Sequence, residues 1–202
     1  MKLFYSPGAC SMASHIVLHE IGSPFEIEKV DTKAKTTESG ADYLAINSKG
    51  AVPVLQVDGE VLTEGPAILQ FIADKAGNET LAPKAGTMAR ARVTEMLNFI
   101  GTELHIAFKP MFNPALDEAG RATTTANIGR KFDWLEARLA DGRDYLTGAT
   151  FTVADAYAFT VTNWAGFKGI TLSKWPHLQA FVARVAARPS AQAAMKAEGL
   201  IA

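Results

Sequence analysis

Strand-forming patterns are confined to the first eighty residues of this chain, and that asymmetry limits what it can fold into. Residues 3–5 are a short apolar and aromatic run, and residues 24–30 alternate apolar with charged side chains. Two further runs, 52–57 and 60–63, flank Asp58-Gly59, a dipeptide that closes hairpins. Helical spacing appears between them, over 11–21 with Gly22 as its stop, briefly at 42–46, and over 66–77. Pro66 suits a first helical position, and Ala67, Ile68, Phe71 and Ile72 supply the apolar stripe behind it. The opening segment therefore reads β-α-β-α-β-β-α, a mixed sheet with helices. The polar run 31–40 reads as a surface loop. Residues 77–86 collect loop formers, and beyond them only helical patterns remain: 87–112, 117–139, 153–167, 175–188 and a short tail helix. The expected organisation is an α/β domain over 1–80 and an all-α domain over 87–202.

The balance of 48% hydrophobic and 20% charged residues is that of a globular chain with a sizeable core. A net charge of −1, with Lys and Arg scattered, gives no footprint for nucleic acid or an anionic membrane. No run approaches the ~20 apolar residues of a membrane span, and the N-terminus lacks the pattern of a signal peptide. One cysteine excludes an intrachain disulfide and a cysteine-based metal cluster. A cytoplasmic location, where thiols stay reduced, is the simplest expectation.

That cysteine, Cys10, stands where the first strand turns into the first helix. A thiol there feels unpaired backbone N–H groups and the positive end of the helix dipole, both of which favour the thiolate. The alternative is a buried cysteine acting as a small hydrophobe. Tyr5 and Ser11 are neighbouring hydroxyls. Pro53 cannot donate to a ladder, so it marks an edge or break, and its X-Pro bond is a candidate for the cis form. The N–H groups around Gly65 face any anion placed at that helix start, and Glu64 beside them takes a cation; together they would grip a zwitterion. On the long helix, Asn98, Thr102 and His105 fall on one stripe, with Glu103 a quarter-turn away. Thr152 and Asp155 form a capping box at the start of the most apolar helix, which makes that aspartate a folding device.

Taken in order, Tyr5-Ser6-Pro7-Gly8-Ala9-Cys10-Ser11, Lys35-Thr36-Thr37-Glu38-Ser39-Gly40, Val52-Pro53, Thr63-Glu64-Gly65-Pro66-Ala67-Ile68 and Asn98-Phe99 resemble the cytosolic glutathione transferases, specifically the bacterial beta class. Glu103-Leu104-His105, Phe151-Thr152-Val153-Ala154-Asp155-Ala156-Tyr157 and Glu198-Gly199-Leu200-Ile201 extend the likeness over the whole chain. The resemblance implies a thioredoxin-like N-terminal domain, an all-helical C-terminal domain carrying the electrophile pocket and dimer contacts, and a homodimer. Glutathione is the implied co-substrate, small electrophiles the other, and no metal is required. Cys10 and His105 are the implied catalytic pair. Cys10, Lys35, Val52, Glu64, Gly65, Thr102, Glu103 and His105 are the implied glutathione contacts, with Tyr5, Ser11 and Asn98 auxiliary and Pro53 the cis-proline turn. The run Cys10-Ser11-Met12-Ala13 has no resolving thiol, so any disulfide of Cys10 is with another molecule, glutathione first. Conjugation with a possible Cys10–glutathione mixed disulfide leads. A glutaredoxin-like thiol transferase, a glutathione-dependent dehalogenase and a non-catalytic binder of apolar ligands are the alternatives.

Overall fold

The computed structural model describes residues 1–202 and divides into two compact units, 1–82 together with 187–202, and 83–186. The first holds β1 (Lys2–Tyr5), α1 (Ser11–Ile21), β2 (Glu26–Asp31), β3 (Thr36–Thr37), α2 (Tyr43–Ile46), β4 (Val54–Val57), β5 (Glu60–Thr63) and α3 (Gly65–Lys75). Its sheet runs β3-β2-β1-β4-β5, with β1 parallel to β2 and antiparallel to β4. The parallel pair needs a crossover, which α1 supplies, whereas Asp58-Gly59 joins β4 to β5 directly. One face of the sheet buries Phe4, Val30, Tyr43 and Val54 as a cluster. On the other, α1 packs with α3.

The loop expected at 31–40 is shorter than that reading. Thr36 and Thr37 pair antiparallel with Asp31 and Val30 as an edge strand. The Asp31 carboxylate accepts the N–H groups of Lys33 and Ala34, which folds the chain back for that pairing.

The second unit contains α4 (Met88–Phe99), a π-helical turn over Ile100–His105, α5 (Ile106–Phe108), a 3-10 turn over Lys109–Phe112, α6 (Glu118–Leu139), α7 (Val153–Phe167) and α8 (Pro176–Ala186). Helix α7 is buried nearly all round and packs against α4, α8 and the π-helical turn. Its start is fixed as expected. The Asp155 carboxylate accepts the N–H and hydroxyl of Thr152 and the N–H of Leu146, each at 2.8 Å. The helix expected as continuous over 87–112 instead carries the π-helical turn. Gly101, a poor helix former, lies inside it, and the Thr102 hydroxyl donates back to the Asn98 carbonyl at 2.9 Å.

The last helix, α9 (Pro189–Ala197), groups with the first unit rather than with the helical one expected to extend to 202. It packs along α1. Arg188 and the Ser190 hydroxyl both bond the Glu20 carboxylate, and Glu198 reaches the His15 ring. No helix is long and apolar enough to cross a membrane.

Candidate functional site

In the first unit, the segment 49–53 gathers most of the residues singled out by sequence. The Val52-Pro53 bond is cis. The Cys10 S–H donates to the Val52 carbonyl oxygen, with 3.2 Å between Sγ and O. Gly65 opens α3 close to the Pro53 ring, where an added Cβ would lie 3.9 Å from Cγ. Lys35 Nζ donates to the Gly50 carbonyl at 2.8 Å, and Lys49 Nζ donates to Glu64 at 2.5 Å and to the Thr63 hydroxyl at 2.9 Å. Lys35 and Glu64 both hold positive φ, 59° and 71°, a conformation that strains any residue with a Cβ. Such strain persists where surrounding structure enforces it, and it gathers at binding sites. Glu64 itself is exposed.

Of the two readings open for Cys10, burial favours the neutral thiol. Desolvation pushes the thiol up to about 11, outweighing the N–H groups of Cys10 and Ser11, which pull it down, and the Glu64 charge adds to the rise. The helix start acts in the expected direction and loses. The Ser11 hydroxyl is fully buried and closes the preceding turn, accepting the Ser6 N–H at 3.2 Å and donating to the Ser6 carbonyl at 3.3 Å. Tyr5 is buried in β1, its phenol pushed up by burial first and by Glu198 and Glu38 after it.

In the second unit the expected single stripe of Asn98, Thr102 and His105 is split. Thr102 and Glu103 line a groove of about 470 Å³ with Ile106, Asn127, Arg130 and Lys131, and Lys131 pairs with the Glu103 carboxylate. Asn98 borders a different groove, with Arg90, Thr94 and Glu95. His105 turns toward α7 instead. Its Nδ1 lies 2.7 Å from the Tyr157 hydroxyl, and its ring meets Trp164 edge-on at 4.8 Å. Phe112 continues this aromatic wall at 5.3 Å from Trp164, with Lys168 Nζ 4.1 Å above the Phe112 ring. Burial lowers the His105 pKa, so the imidazole is neutral near pH 7. No three His, Cys, Asp or Glu side chains are arranged to hold a metal ion.

Two family models match the chain, glutathione S-transferase N-terminal domain over residues 1–74 and glutathione S-transferase C-terminal domain over residues 99–189. The chain belongs to the glutathione S-transferase family. Glutathione S-transferase GstA of Escherichia coli O157:H7 is 44% identical over 201 residues, covering 99% of this chain and all of that one. A bacterial beta-class glutathione S-transferase of Sphingomonas chungbukensis superposes with a TM-score of 0.95 at 44% identity over the full length of both chains. A sphingomonad glutathione S-transferase solved in complex with glutathione matches equally, at TM-score 0.95, 44% identity and full coverage of both. The first unit is thus the thioredoxin-like half of a glutathione transferase and the second its helical half.

For this glutathione transferase the sequence reading missed three groups. Lys49, which no sequence pattern marks, is the partner of Glu64. Tyr157 and Trp164 lie in the apolar run of α7, and they hold His105. His15, 1% exposed, bonds Glu198 at 2.9 Å while Glu198 also accepts the Gly8 N–H at 2.8 Å. A histidine on the buried face of α1 was the available signal, because a buried polar group needs a partner.

Proposed function

We propose that this protein binds glutathione and conjugates it to small hydrophobic electrophiles, acting as a cytoplasmic homodimer. Glu64 and the N–H groups opening α3 at Gly65 take the zwitterionic γ-glutamyl end, the Val52 backbone pairs with the cysteinyl part, and Lys35 takes a carboxylate. Thr102 and Glu103 add polar contacts, with Asn98 auxiliary to them. Cys10 and His105 act on the glutathione sulfur. Its thiolate attacks the electrophilic carbon, the leaving group departs with the displaced electron pair, and the thiol proton passes to solvent. The aromatic wall of Trp164 and Phe112 suits an apolar co-substrate.

The observation that carries this reading is the convergence on 49–53 of Cys10, Lys35, Glu64 and Gly65, four residues from three separate parts of the chain. Cys10 also supports a slower redox branch. Its thiolate attacks one sulfur of oxidised glutathione and releases the other half as thiolate, forming one mixed disulfide. A thiol titrating near 11 keeps that branch minor at neutral pH. The test pairs two assays on native protein and Cys10→Ala: conjugation of an aromatic halide, and intact mass after incubation with oxidised glutathione. Expected are conjugation that is weaker in Cys10→Ala than in native protein and a one-glutathione adduct on native protein alone. Absence of glutathione-dependent turnover in native protein sinks the proposal, and a monomer in sedimentation at assay concentration sinks its dimeric part.

A further inference from the structure

We propose that Tyr157 is a positioning residue that fixes the tautomer of His105, placing the ring proton on Nε2 so that His105 serves the glutathione sulfur as a hydrogen-bond donor and not as a base. This deepens the function proposed above and rests on it.

The chemistry of the two partners favours one direction of donation. Tyr157 Oη and His105 Nδ1 are 2.7 Å apart. A phenol is a good donor and a neutral imidazole nitrogen is a strong acceptor, so the contact fits O–H donating to the Nδ1 lone pair. A neutral imidazole carries one proton. With Nδ1 accepting, that proton resides on Nε2. Burial keeps the ring neutral, so the tautomer is the variable left to set.

The surroundings hold this arrangement rigid. Tyr157 is 4% exposed and lies two residues beyond Asp155, whose capping contacts lock the first turn of α7. Trp164, two turns further along the same face of α7, packs edge-on against the imidazole and limits its rotation. The π-helical turn supplies the rest. By taking His105 out of line with Thr102 it aims the ring at α7 rather than along the groove that Thr102 and Glu103 border. An Nε2–H stabilises a neighbouring thiolate by a charge-assisted bond, and it has no lone pair with which to remove a thiol proton.

The test is ¹⁵N NMR of the His105 ring in native protein and in Tyr157→Phe, with steady-state kinetics and thermal melting of both. Expected for native protein is a pyridine-like Nδ1 and a pyrrole-like Nε2. Expected for Tyr157→Phe are ring signals averaged between tautomers, a kcat lower by roughly five- to tenfold for one lost hydrogen bond, and an unchanged KM for glutathione. A native ring protonated on Nδ1 overturns the proposal without any variant, so a Tyr157→Phe chain that fails to fold does not shield it. Native ring signals or native kcat in a folded Tyr157→Phe protein also overturn it. Absence of turnover in native protein would instead defeat the function proposed above, while the ring signals still decide the tautomer.

Discussion

At Cys10 two opposing effects act on one sulfur, and the larger is burial. The sequence places the thiol at a helix start, and that was legible; its surroundings were not, because they include the Val52 carbonyl and the Glu64 charge, more than forty residues on. The consequence is measurable. With the thiol near 11, the rate of alkylation of Cys10 by iodoacetamide rises about tenfold per pH unit from pH 7 to pH 10 without a plateau. A plateau at or below pH 8 would show a stabilised thiolate. Glu64 offers a second test with opposite signs in its two readouts. It holds φ 71°, which glycine adopts freely, so Glu64→Gly relieves strain and should raise stability by up to about 1 kcal/mol in a melting experiment. The same change removes the carboxylate proposed to hold the ligand's ammonium group, and glutathione affinity by calorimetry should fall by roughly tenfold or more. A variant that is both more stable and a normal glutathione binder would remove Glu64 from the site.

At the scale of elements, the capping box was readable from four residues because its geometry is local: Thr152 and Asp155 meet within one turn. The π-helical turn was not, since helical periodicity assumes a uniform ladder, and one shifted hydrogen bond re-aims everything beyond it. Hence the stripe of Asn98, Thr102 and His105 failed where the capping box held. Asp155 is fully buried, and removing it leaves the N–H groups of Thr152 and Leu146 without their acceptor. Asp155→Ala should therefore cost about 3 kcal/mol in denaturant unfolding, a lost cap plus buried unsatisfied donors. A cost under about 1 kcal/mol would mean the box is replaceable. Burial also raises the Asp155 pKa from 3.8 to about 6. Its folded pKa lies above the unfolded one, so this titration favours the fold below about pH 4, and that contribution fades as pH rises through 6. Asp155→Asn cannot titrate, and its stability relative to native protein should improve between pH 4 and pH 6.5.

For the whole molecule, the order of elements and the confinement of strands to the N-terminal stretch were plain in the sequence, but the return of the chain's end was not. Residues 187–202 belong with the first unit through pairs separated by 168 to 190 positions, and such pairs leave no local periodicity to read. Glu198 is the centre of that closure. One of its oxygens accepts the Gly8 N–H in the turn leading to Cys10, and the other bonds the His15 ring on α1, with both side chains almost wholly out of water. Glu198→Ala removes the carboxylate that both the buried His15 ring and the Gly8 N–H bond. Breaking a buried polar pair from one side costs about 3–5 kcal/mol, far more than an exposed ion pair such as Lys75–Asp58 contributes. The loss should concentrate in the first unit. Hydrogen exchange is expected to accelerate at the amides of α1 and at Gly8 while those of α7 keep native protection. Glu198→Gln retains an acceptor for Gly8 and should recover much of the difference. Uniform acceleration across both units would mean that the closing segment stabilises the fold as a whole, and unchanged exchange at Gly8 would remove Glu198 as the support of the turn that carries Cys10.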